Sequence, residues 1–361
     1  MTAMAARTLG YHVDALDPDP SCAARFVVEN CITAQFDDDI AAAYLASRAQ
    51  VVTIEIEKIG AKALEAVARI VPLRPSVEVL RTIQDRGLQK AWLTQNGFPI
   101  GPHRHAASAE ELGASLKELG ADSFIKTCTG GYDGRGQMQG SSANADKIWR
   151  ALGPVDKVHC VVEKALSLQC EISVLVARRP SGEMAVYPPA LNHHEQRILV
   201  WSVLPAPIPK RLIEQAQQIG RSIADKMKIE GLLVVEMFIT TDGQLLVNEL
   251  APRPHNSFHS TEVGCTTSQF EQAVRAVCDL PLGATDLLKP AAIVNLLGDL
   301  WSKEGRAVTP AFAHALAIPG IRLHLYGKRE ARPGRKMGHL SATAASPEEA
   351  REKVLAAFAK L

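Results

Sequence analysis

The sequence predicts an α/β domain at its N-terminal end, followed by an α+β region built on an antiparallel sheet. Residues 1–100 alternate helical and strand patterns, which is typical of α/β domains. Residues 166–290 instead contain consecutive strands joined by Ser-Gly and Asp-Gly turns, which favour hairpins. At 361 residues the chain is also too long for one simple core, so more than one domain is expected.

The first hundred residues open on a helix that Gly10 closes. Parallel α/β domains normally open on a strand, whose glycine-rich turn feeds the first helix. We therefore expect a Rossmann-like domain that lacks its first strand. The predicted elements are helices over 1–9, 37–47, 60–70 and 84–97, and strands over 11–16, 24–34 and 49–59.

The remaining predicted elements lie in residues 101–361. In 101–165, Ser108 caps a helix and Glu111 stands at the capping-box position. Near the C-terminus a basic strand–loop–strand over 321–344 precedes a helix that begins at Ser346. The other predicted elements are strands over 123–127 and 158–166, a helix over 143–152, a hairpin over 170–188, a strand over 197–207, a helix over 209–227 and a hairpin over 231–250.

Composition excludes several classes of protein. Lys and Arg number 40 against 39 Asp and Glu, so no global field favours nucleic acid or an acidic membrane. The seven cysteines are scattered, without the spacing of a zinc site, and are interpreted as buried thiols in a reducing cytoplasm. No apolar run reaches the length of a membrane span, and no secretory signal is visible.

The stretch "IKTCTGGYDGRGQ" is the first candidate binding feature. Its glycines Gly130, Gly131, Gly134 and Gly136 let the backbone approach a ligand closely, and successive N–H groups in such a loop can bind an anion. Lys126, at the end of the preceding strand, could reach the same anion. A plain hairpin turn and a solvated lysine are the alternatives.

The hairpin over 231–250 is the second candidate binding feature. A turn at Asp242-Gly243 places Glu236 and Glu249 opposite each other, where two carboxylates repel unless a cation lies between them. Mg²⁺ prefers such hard oxygens, together with substrate phosphates. The alternative is that one glutamate points to solvent.

The third candidate binding feature is a basic cluster in an otherwise neutral chain, formed by Lys328, Arg332, Arg335 and Lys336. Such a cluster favours anion binding. The alternative is a solvated face.

Together these segments resemble one family. Lys126 with "GGYDGRGQ", "VVEKAL", Glu171, "LLVNELAPRPHNS" and "YGKREARPGRKMGH" is similar to the N5-carboxyaminoimidazole ribonucleotide synthetases of purine biosynthesis, which are ATP-grasp ligases. The resemblance runs in order from residue 1 to 361. It implies a pre-ATP-grasp domain over 1–100, a mobile lid over 101–165, a central antiparallel sheet over 166–290 and a C-terminal, substrate-phosphate-binding extension over 291–361.

The resemblance also implies the site, residue by residue. Lys126 and Arg86 would contact phosphates, residues 163–166 would hold adenine, Glu171 the ribose, and the loop 131–137 would close over the nucleotide. Glu236 and Glu249 would bind Mg²⁺, with Mn²⁺ as an alternative. The residues assigned to ATP are Arg86, Lys126, Gly131, Tyr132, Asp133, Gly134, Arg135, Gly136, Gln137, Glu163, Lys164, Ala165, Leu166, Glu171, His194, Asn248 and Glu249. The residues assigned to the other substrates are Glu57 (preferred over Glu55), Tyr132, Asp133, Arg135, Arg253, His255, Asn256, Ser257, Lys328, Arg335 and Lys336.

The implied reaction converts ATP, bicarbonate and aminoimidazole ribonucleotide into N5-carboxyaminoimidazole ribonucleotide, ADP and phosphate, through carboxyphosphate. The family also implies a cytoplasmic homodimer and a separate mutase that takes the product. Two alternatives stay open at this point. One is a related ligase that uses formate and glycinamide ribonucleotide. The other is a catalytically silent nucleotide-binding protein, because the N-terminal glycine-rich loop of the family is expected to be absent.

Overall fold

The computed structural model describes residues 1–120, 122–130, 136–153, 159–303 and 305–361. Its helices are α1 (Thr2–Thr8), α2 (Asp39–Ser47), α3 (Ala61–Ala68), α4 (Val77–Gln84), α5 (Arg86–Gln95), α6 (Ala109–Leu119), α7 (Ala145–Leu152), α8 (Lys210–Lys226), α9 (Thr261–Gly264), α10 (Gln269–Val277), α11 (Phe312–Leu316) and α12 (Pro347–Phe358). Its strands are β1 (Asp14–Asp17), β2 (Asn30–Thr33), β3 (His103–Ala106), β4 (Ser123–Thr127), β5 (Gln137–Gly140), β6 (Cys160–Lys164), β7 (Leu168–Arg178), β8 (Met184–Val186), β9 (Ala190–Glu195), β10 (Ile198–Leu204), β11 (Gly231–Thr240), β12 (Leu245–Ala251), β13 (Ala291–Leu297), β14 (Ser302–Lys303), β15 (Arg306–Ala307), β16 (Arg322–Leu325) and β17 (Lys336–Thr343).

The N-terminal unit is an α/β domain, as predicted, but two of its predicted strands are wrong in extent. Strands β1 and β2 are parallel, whereas the first part of the stretch 24–34 is a 3₁₀ helix in which Phe26 is 75% exposed. In the stretch 49–59 only Val52 pairs, with Leu73. Periodicity favoured a strand there, but a strand also needs a neighbouring chain for its backbone groups.

Helix α4 was not predicted, although its signals are local. The Ser76 hydroxyl caps it by accepting from the Val79 N–H, and four apolar residues at helical spacing are buried. Helix α5 follows directly. The Asp85 carboxylate caps it by accepting from the Leu88 N–H, and the predicted stop at Gly97 is confirmed, with φ of 74°. Helix α5 is the helix that carries Arg86 toward the site.

The second unit is a four-stranded antiparallel sheet in the order β3-β6-β4-β5, covered by α6 and α7. Lys126 on β4 pairs with Val161 on β6, two residues before Glu163. Side chains two residues apart on a strand share a face, so Lys126 and Glu163 are diagonal neighbours. The sheet register therefore brings them together.

The largest unit is a nine-stranded sheet in the order β12-β11-β7-β9-β10-β13-β17-β16, with β8 added on β7. All its pairings are antiparallel. Helix α8 packs on one face, while α12 covers the half formed by β10, β13 and β17. Strands predicted for the central segment and for the C-terminal extension therefore belong to one sheet.

All seven cysteines carry free thiols, four of them buried. None of the helices in the described ranges combines the length and apolar character needed to cross a membrane.

Candidate active site

The centre of the site is the hairpin of β11 and β12. Glu236 and Glu249 are direct cross-strand partners, which confirms the register predicted from the Asp-Gly turn. Both are half-buried, and the neighbouring Asn248 has a buried Oδ1 without a hydrogen-bond partner. Two carboxylates beside an unsatisfied amide oxygen form a set of hard oxygen donors, which fits Mg²⁺ or Mn²⁺.

The charge state of Glu236 is set by its neighbours. Burial raises the pKa of its carboxyl, but His255, His194 and Lys336 outweigh burial and hold that pKa at about 2. The carboxylate is therefore ionised at neutral pH. Lys336 lies on β17, so the C-terminal segment contributes a positive charge to the hairpin.

A buried hydrogen-bond network supports the loop "PRPHNS". His255 Nε2 lies 3.1 Å from Glu236 Oε1, and its Nδ1 lies 2.8 Å from Ser257 Oγ. Ser257 Oγ accepts from Ser173 Oγ at 2.9 Å, and Ser173 Oγ accepts from Asn192 Nδ2 at 3.0 Å. Ser257 is fully buried, and its hydroxyl holds the His255 ring. Its assignment as a substrate contact stays a prediction.

Glu57 faces the same carboxylates from the N-terminal unit. Its Oε1 lies 3.0 Å from Arg253 Nε, at an angle that makes the contact an ion pair rather than a hydrogen bond. Burial raises the pKa of Glu57, Arg253 opposes this, and Glu249 and Glu236 add to the rise. The structure thus brings the predicted Glu57 and Arg253 to the hairpin, while Glu55 is exposed.

Glu171 and His194 form a third pair, on β7 and β9, with Nδ1 2.9 Å from Glu171 Oε2. Burial lowers the pKa of His194, but Glu171 and then Glu236 raise it above its ordinary value. His194 is therefore positively charged over a wider pH range than a free histidine. It links the residue assigned to ribose with the hairpin.

On the four-stranded sheet β3-β6-β4-β5, here called the lid sheet, two lysines hold Glu163. Its Oε2 lies 2.5 Å from Lys126 Nζ, and its Oε1 lies 2.9 Å from Lys90 Nζ. Burial raises the pKa of Glu163, but Lys126 and Lys90 together bring it down to about 2. Each oxygen of the Glu163 carboxylate is thus paired with one ammonium group. Sequence reasoning missed Lys90, although it stands one helical turn after Arg86 on α5.

The segment assigned to adenine has part of its backbone already bonded. The N–H of Lys164 donates to Pro102 O at 3.0 Å, and the N–H of Ala165 donates to Asp122 O at 2.9 Å. Glu163 itself lies in the ladder, opposite His103 on β3 and Phe124 on β4, so part of this segment's backbone is bonded to the protein.

Arg86 lies where the glycine loop begins. Its backbone N–H donates to Cys128 O at 2.8 Å, and its NH1 donates to Thr127 O at 2.9 Å. Gly136 has φ of 67°, and the carbonyl of Gln137 accepts from Arg197. The other loop residues assigned to ligands lie outside the described residues: Gly131, Tyr132, Asp133, Gly134 and Arg135.

The residues of the basic cluster lie near two different parts of the chain. Lys328 Nζ donates to the carbonyl of Lys336 at 2.8 Å, and Arg335 NH1 donates to the carbonyl of Glu330 at 2.8 Å. The exposed Asp19 has its pKa lowered first by hydrogen bonds from Ser21 and also by Arg335. Arg335 therefore lies near the N-terminal unit, whereas Lys336 lies near the hairpin.

Asn256 connects the hairpin loop to the C-terminal strands. Its Nδ2 lies 3.4 Å from the Tyr326 hydroxyl, which lies 2.9 Å from His339 Nδ1. Its Oδ1 accepts from Asn295. Tyr326 and His339 were not predicted, and no local pattern indicates their pairing.

Among the described residues, one other set of metal-type ligand atoms lies close together, in Glu262, His324 and His339. The two imidazole rings are stacked, with an interplanar angle of 9° and centroids 5.3 Å apart. Nitrogen lone pairs lie in the plane of each ring, so those of two parallel stacked rings do not meet at one point. The hairpin carboxylates therefore stay the candidate cation ligands.

Three domain families match successive parts of the chain. The ribonucleotide synthetase preATP-grasp domain matches residues 1–84, the ATP-grasp domain matches 91–270, and the phosphoribosylaminoimidazole carboxylase C-terminal domain matches 291–353. These matches confirm the predicted pre-ATP-grasp and ATP-grasp fold. The four predicted segment boundaries stay a prediction.

Whole-chain relatives agree with the domain matches. The N5-carboxyaminoimidazole ribonucleotide synthase of Bacillus subtilis is 38% identical over 94% of this chain and 87% of its own length. An N5-carboxyaminoimidazole ribonucleotide synthetase solved as an ADP complex is 38% identical, with a TM-score of 0.91 over 99% of this chain and 92% of that one. The Aspergillus clavatus synthase, solved with ADP and 5-aminoimidazole ribonucleotide, is 31% identical, with a TM-score of 0.89 over 99% and 94%.

Proposed function

The chain belongs to the N5-carboxyaminoimidazole ribonucleotide synthase family, and we propose that it uses ATP and bicarbonate to carboxylate 5-aminoimidazole ribonucleotide at the hairpin site. The products are N5-carboxyaminoimidazole ribonucleotide, ADP and phosphate. The observation that carries the proposal is the meeting of Glu236 and Glu249 with Glu57 and Arg253 from other parts of the chain.

The first chemical step activates bicarbonate. Its carbon is a poor electrophile, and transfer of the γ-phosphoryl group gives carboxyphosphate, in which phosphate is a good leaving group. Lys126 and Arg86 stabilise the charge that develops on the transferred phosphate, because Lys126 lies on β4 and Arg86, on α5, contacts Thr127 at the end of that strand. Glu236 and Glu249 would hold Mg²⁺, which would neutralise part of the charge on the ATP phosphates.

The second step joins the carboxyl carbon to the amine of the ribonucleotide, and phosphate leaves. We assign Glu57, Arg253, His255 and Asn256 to the border of the aminoimidazole, because they surround the hairpin carboxylates. Arg335 binds the 5′-phosphate. Carboxyphosphate reacts readily with water, so the loop 131–137 must cover it before the amine attacks.

The setting of the reaction is part of the same proposal. We place the enzyme in the cytoplasm as a homodimer that passes its labile product to a separate mutase. The two alternative functions remain outcomes of the test below: a ligase that acts on formate and glycinamide ribonucleotide, and a protein that binds nucleotide without turnover.

The test measures ADP and carboxylated ribonucleotide together, quickly, since the carbamate is unstable. The full chain should release ADP only when aminoimidazole ribonucleotide is present with bicarbonate and Mg²⁺ or Mn²⁺, with about one product per ADP. ADP release with glycinamide ribonucleotide and formate would favour the other ligase. ATP binding without turnover of either substrate pair would favour the silent protein.

Substituting Asp133 and Arg135 by Ala then separates chemistry from loop closure. If these side chains guide carboxyphosphate, bicarbonate-dependent ADP release should continue while product per ADP falls well below one. A double variant that keeps one product per ADP at a normal rate would limit the loop to a covering role.

A further inference from the structure

Lys90 is a buried lysine whose two partners come from two other units of the chain. Its side chain lies on α5 and is only 5% exposed. Its Nζ lies 2.9 Å from Glu163 Oε1 on the lid sheet and donates to the carbonyl of Asn248, at 3.0 Å, on the hairpin. A buried ammonium is costly unless it is paired, so this position requires an explanation.

The three charged groups form a cluster with a net charge of +1. Glu163 offers one oxygen to Lys126 and the other to Lys90, so two ammonium groups share one carboxylate. The nearby His103 adds no charge at neutral pH, because burial lowers its pKa. Without Lys90, Lys126 and Glu163 would form a neutral pair.

The position of the surplus charge indicates its role. Lys126 is the next-to-last residue of β4, the strand that leads into the glycine loop, and the carbonyl held by Lys90 belongs to the residue before Glu249. Unpaired positive charge in a poorly hydrated site attracts anions far more strongly than it does in water. A neutral Lys126–Glu163 pair would offer a phosphate little net attraction.

We propose that Lys90 is a positioning residue that offsets the charge of Glu163, so that Lys126 keeps its positive charge for the nucleotide phosphates. The inference rests on the proposed function, because it takes ATP as the ligand. It assigns Lys90 no contact with the nucleotide. Its effect reaches the phosphates through Glu163 and Lys126.

The test compares Lys90→Met with Gln89→Met, a matched control on the same helix. Gln89 is equally buried, and its Oε1 accepts from the N–H of Leu250 on β12 at 3.2 Å. Its loss therefore weakens the same docking of α5 on the hairpin without changing charge. Dissociation constants for ATP, ADP, AMP and adenosine are measured by calorimetry at fixed ionic strength and fixed magnesium.

For Lys90→Met we expect ATP binding to weaken by about 10- to 100-fold. The loss of affinity should be smaller for ADP, smaller again for AMP, and less than about twofold for adenosine. Gln89→Met should affect all four ligands to a similar extent. The double variant Lys90→Met/Glu163→Gln restores the net charge of +1, and its ATP affinity should recover most of the loss.

Equal weakening of ATP and adenosine in Lys90→Met, or no recovery in the double variant, would overturn the inference and leave Lys90 as a packing residue. Urea unfolding of each variant checks the fold. If Lys90→Met does not fold, the double variant alone decides: ATP affinity near that of the unsubstituted chain supports the inference, and a loss like that expected for Lys90→Met overturns it. Failure of the unsubstituted chain to bind ATP would instead overturn the proposed function.

Discussion

The hydroxyl of Ser257 supports both the stability of the central sheet and the orientation of His255. It accepts from Ser173, itself fully buried, and lies 2.8 Å from His255 Nδ1. A carboxylate only accepts hydrogen bonds, so the His255 nitrogen that faces Glu236 carries the proton. Substituting Ser257 by Ala removes the acceptor of Ser173 and the hydroxyl partner of His255 Nδ1, which keeps only the longer contact, 3.4 Å, with the backbone N–H of residue 257.

The expected loss of stability follows from those two bonds. A buried donor left without an acceptor costs about 1–3 kcal/mol, and a lost neutral hydrogen bond costs about 1 kcal/mol. We therefore expect Ser257→Ala to lower the free energy of unfolding by about 2–4 kcal/mol, which is large beside the total for a typical domain. Ser181→Ala, in the exposed turn between β7 and β8, should stay within about 0.5 kcal/mol.

Urea unfolding followed by circular dichroism tests this for both variants. Hydrogen exchange in β7 and β9 locates the change, because a chain of several units need not unfold in one step. We also expect Ser257→Ala to need more Mg²⁺ for half-maximal turnover, since the His255 ring is held less firmly against Glu236. A stability change below about 0.5 kcal/mol with an unaltered Mg²⁺ requirement would refute the network's role.

Three further predictions concern charge. Glu249→Gln, and equally Glu236→Gln, should abolish ATP turnover with little loss of fold, because each removes one of two carboxylates from the cation site; wild-type phosphate release by either variant would contradict the assignment. Arg335→Ala should raise the KM for the ribonucleotide by about 10- to 150-fold, the effect of losing a charge-assisted bond worth about 1.5–3 kcal/mol, and leave that for ATP nearly unchanged; equal effects on both would place Arg335 elsewhere. The pKa of Glu163 is depressed from 4.5 to about 2, so its contribution, roughly 3 kcal/mol, is present above pH 4.5 and is lost as the pH falls toward 2. The stability gap between the unsubstituted chain and Glu163→Gln in urea should shrink over that range, and a constant gap would rule out the linkage.

The parts of the site that sequence could predict are those fixed by local chemistry. The Asp242-Gly243 turn sets the register of its own hairpin, so the pairing of Glu236 with Glu249 could be read from spacing. Family resemblance added Glu57 and Arg253, which the structure joins as an ion pair across the chain.

The parts that escaped prediction depend on contacts between distant segments. Ser257 meets Ser173 only because β7 lies under the loop after β12, and Lys90 meets Glu163 only because α5 docks on the lid sheet. No periodicity or motif encodes such a pairing. The stretch 49–59 fails for a related reason, since alternation predicts a strand whether or not a partner strand is available.

The continuity of the nine-stranded sheet has a consequence for attempts to divide the chain. Strand β13 lies between β10 and β17, so the segment after residue 290 supplies interior strands rather than an appended unit. A fragment that stops at residue 290 would leave one side of β10 with unpaired backbone groups, next to apolar surface that α12 normally covers. An open edge beside apolar surface promotes self-association. Such a fragment should be recovered as an aggregate, and the two halves of the sheet should be produced and purified as one polypeptide.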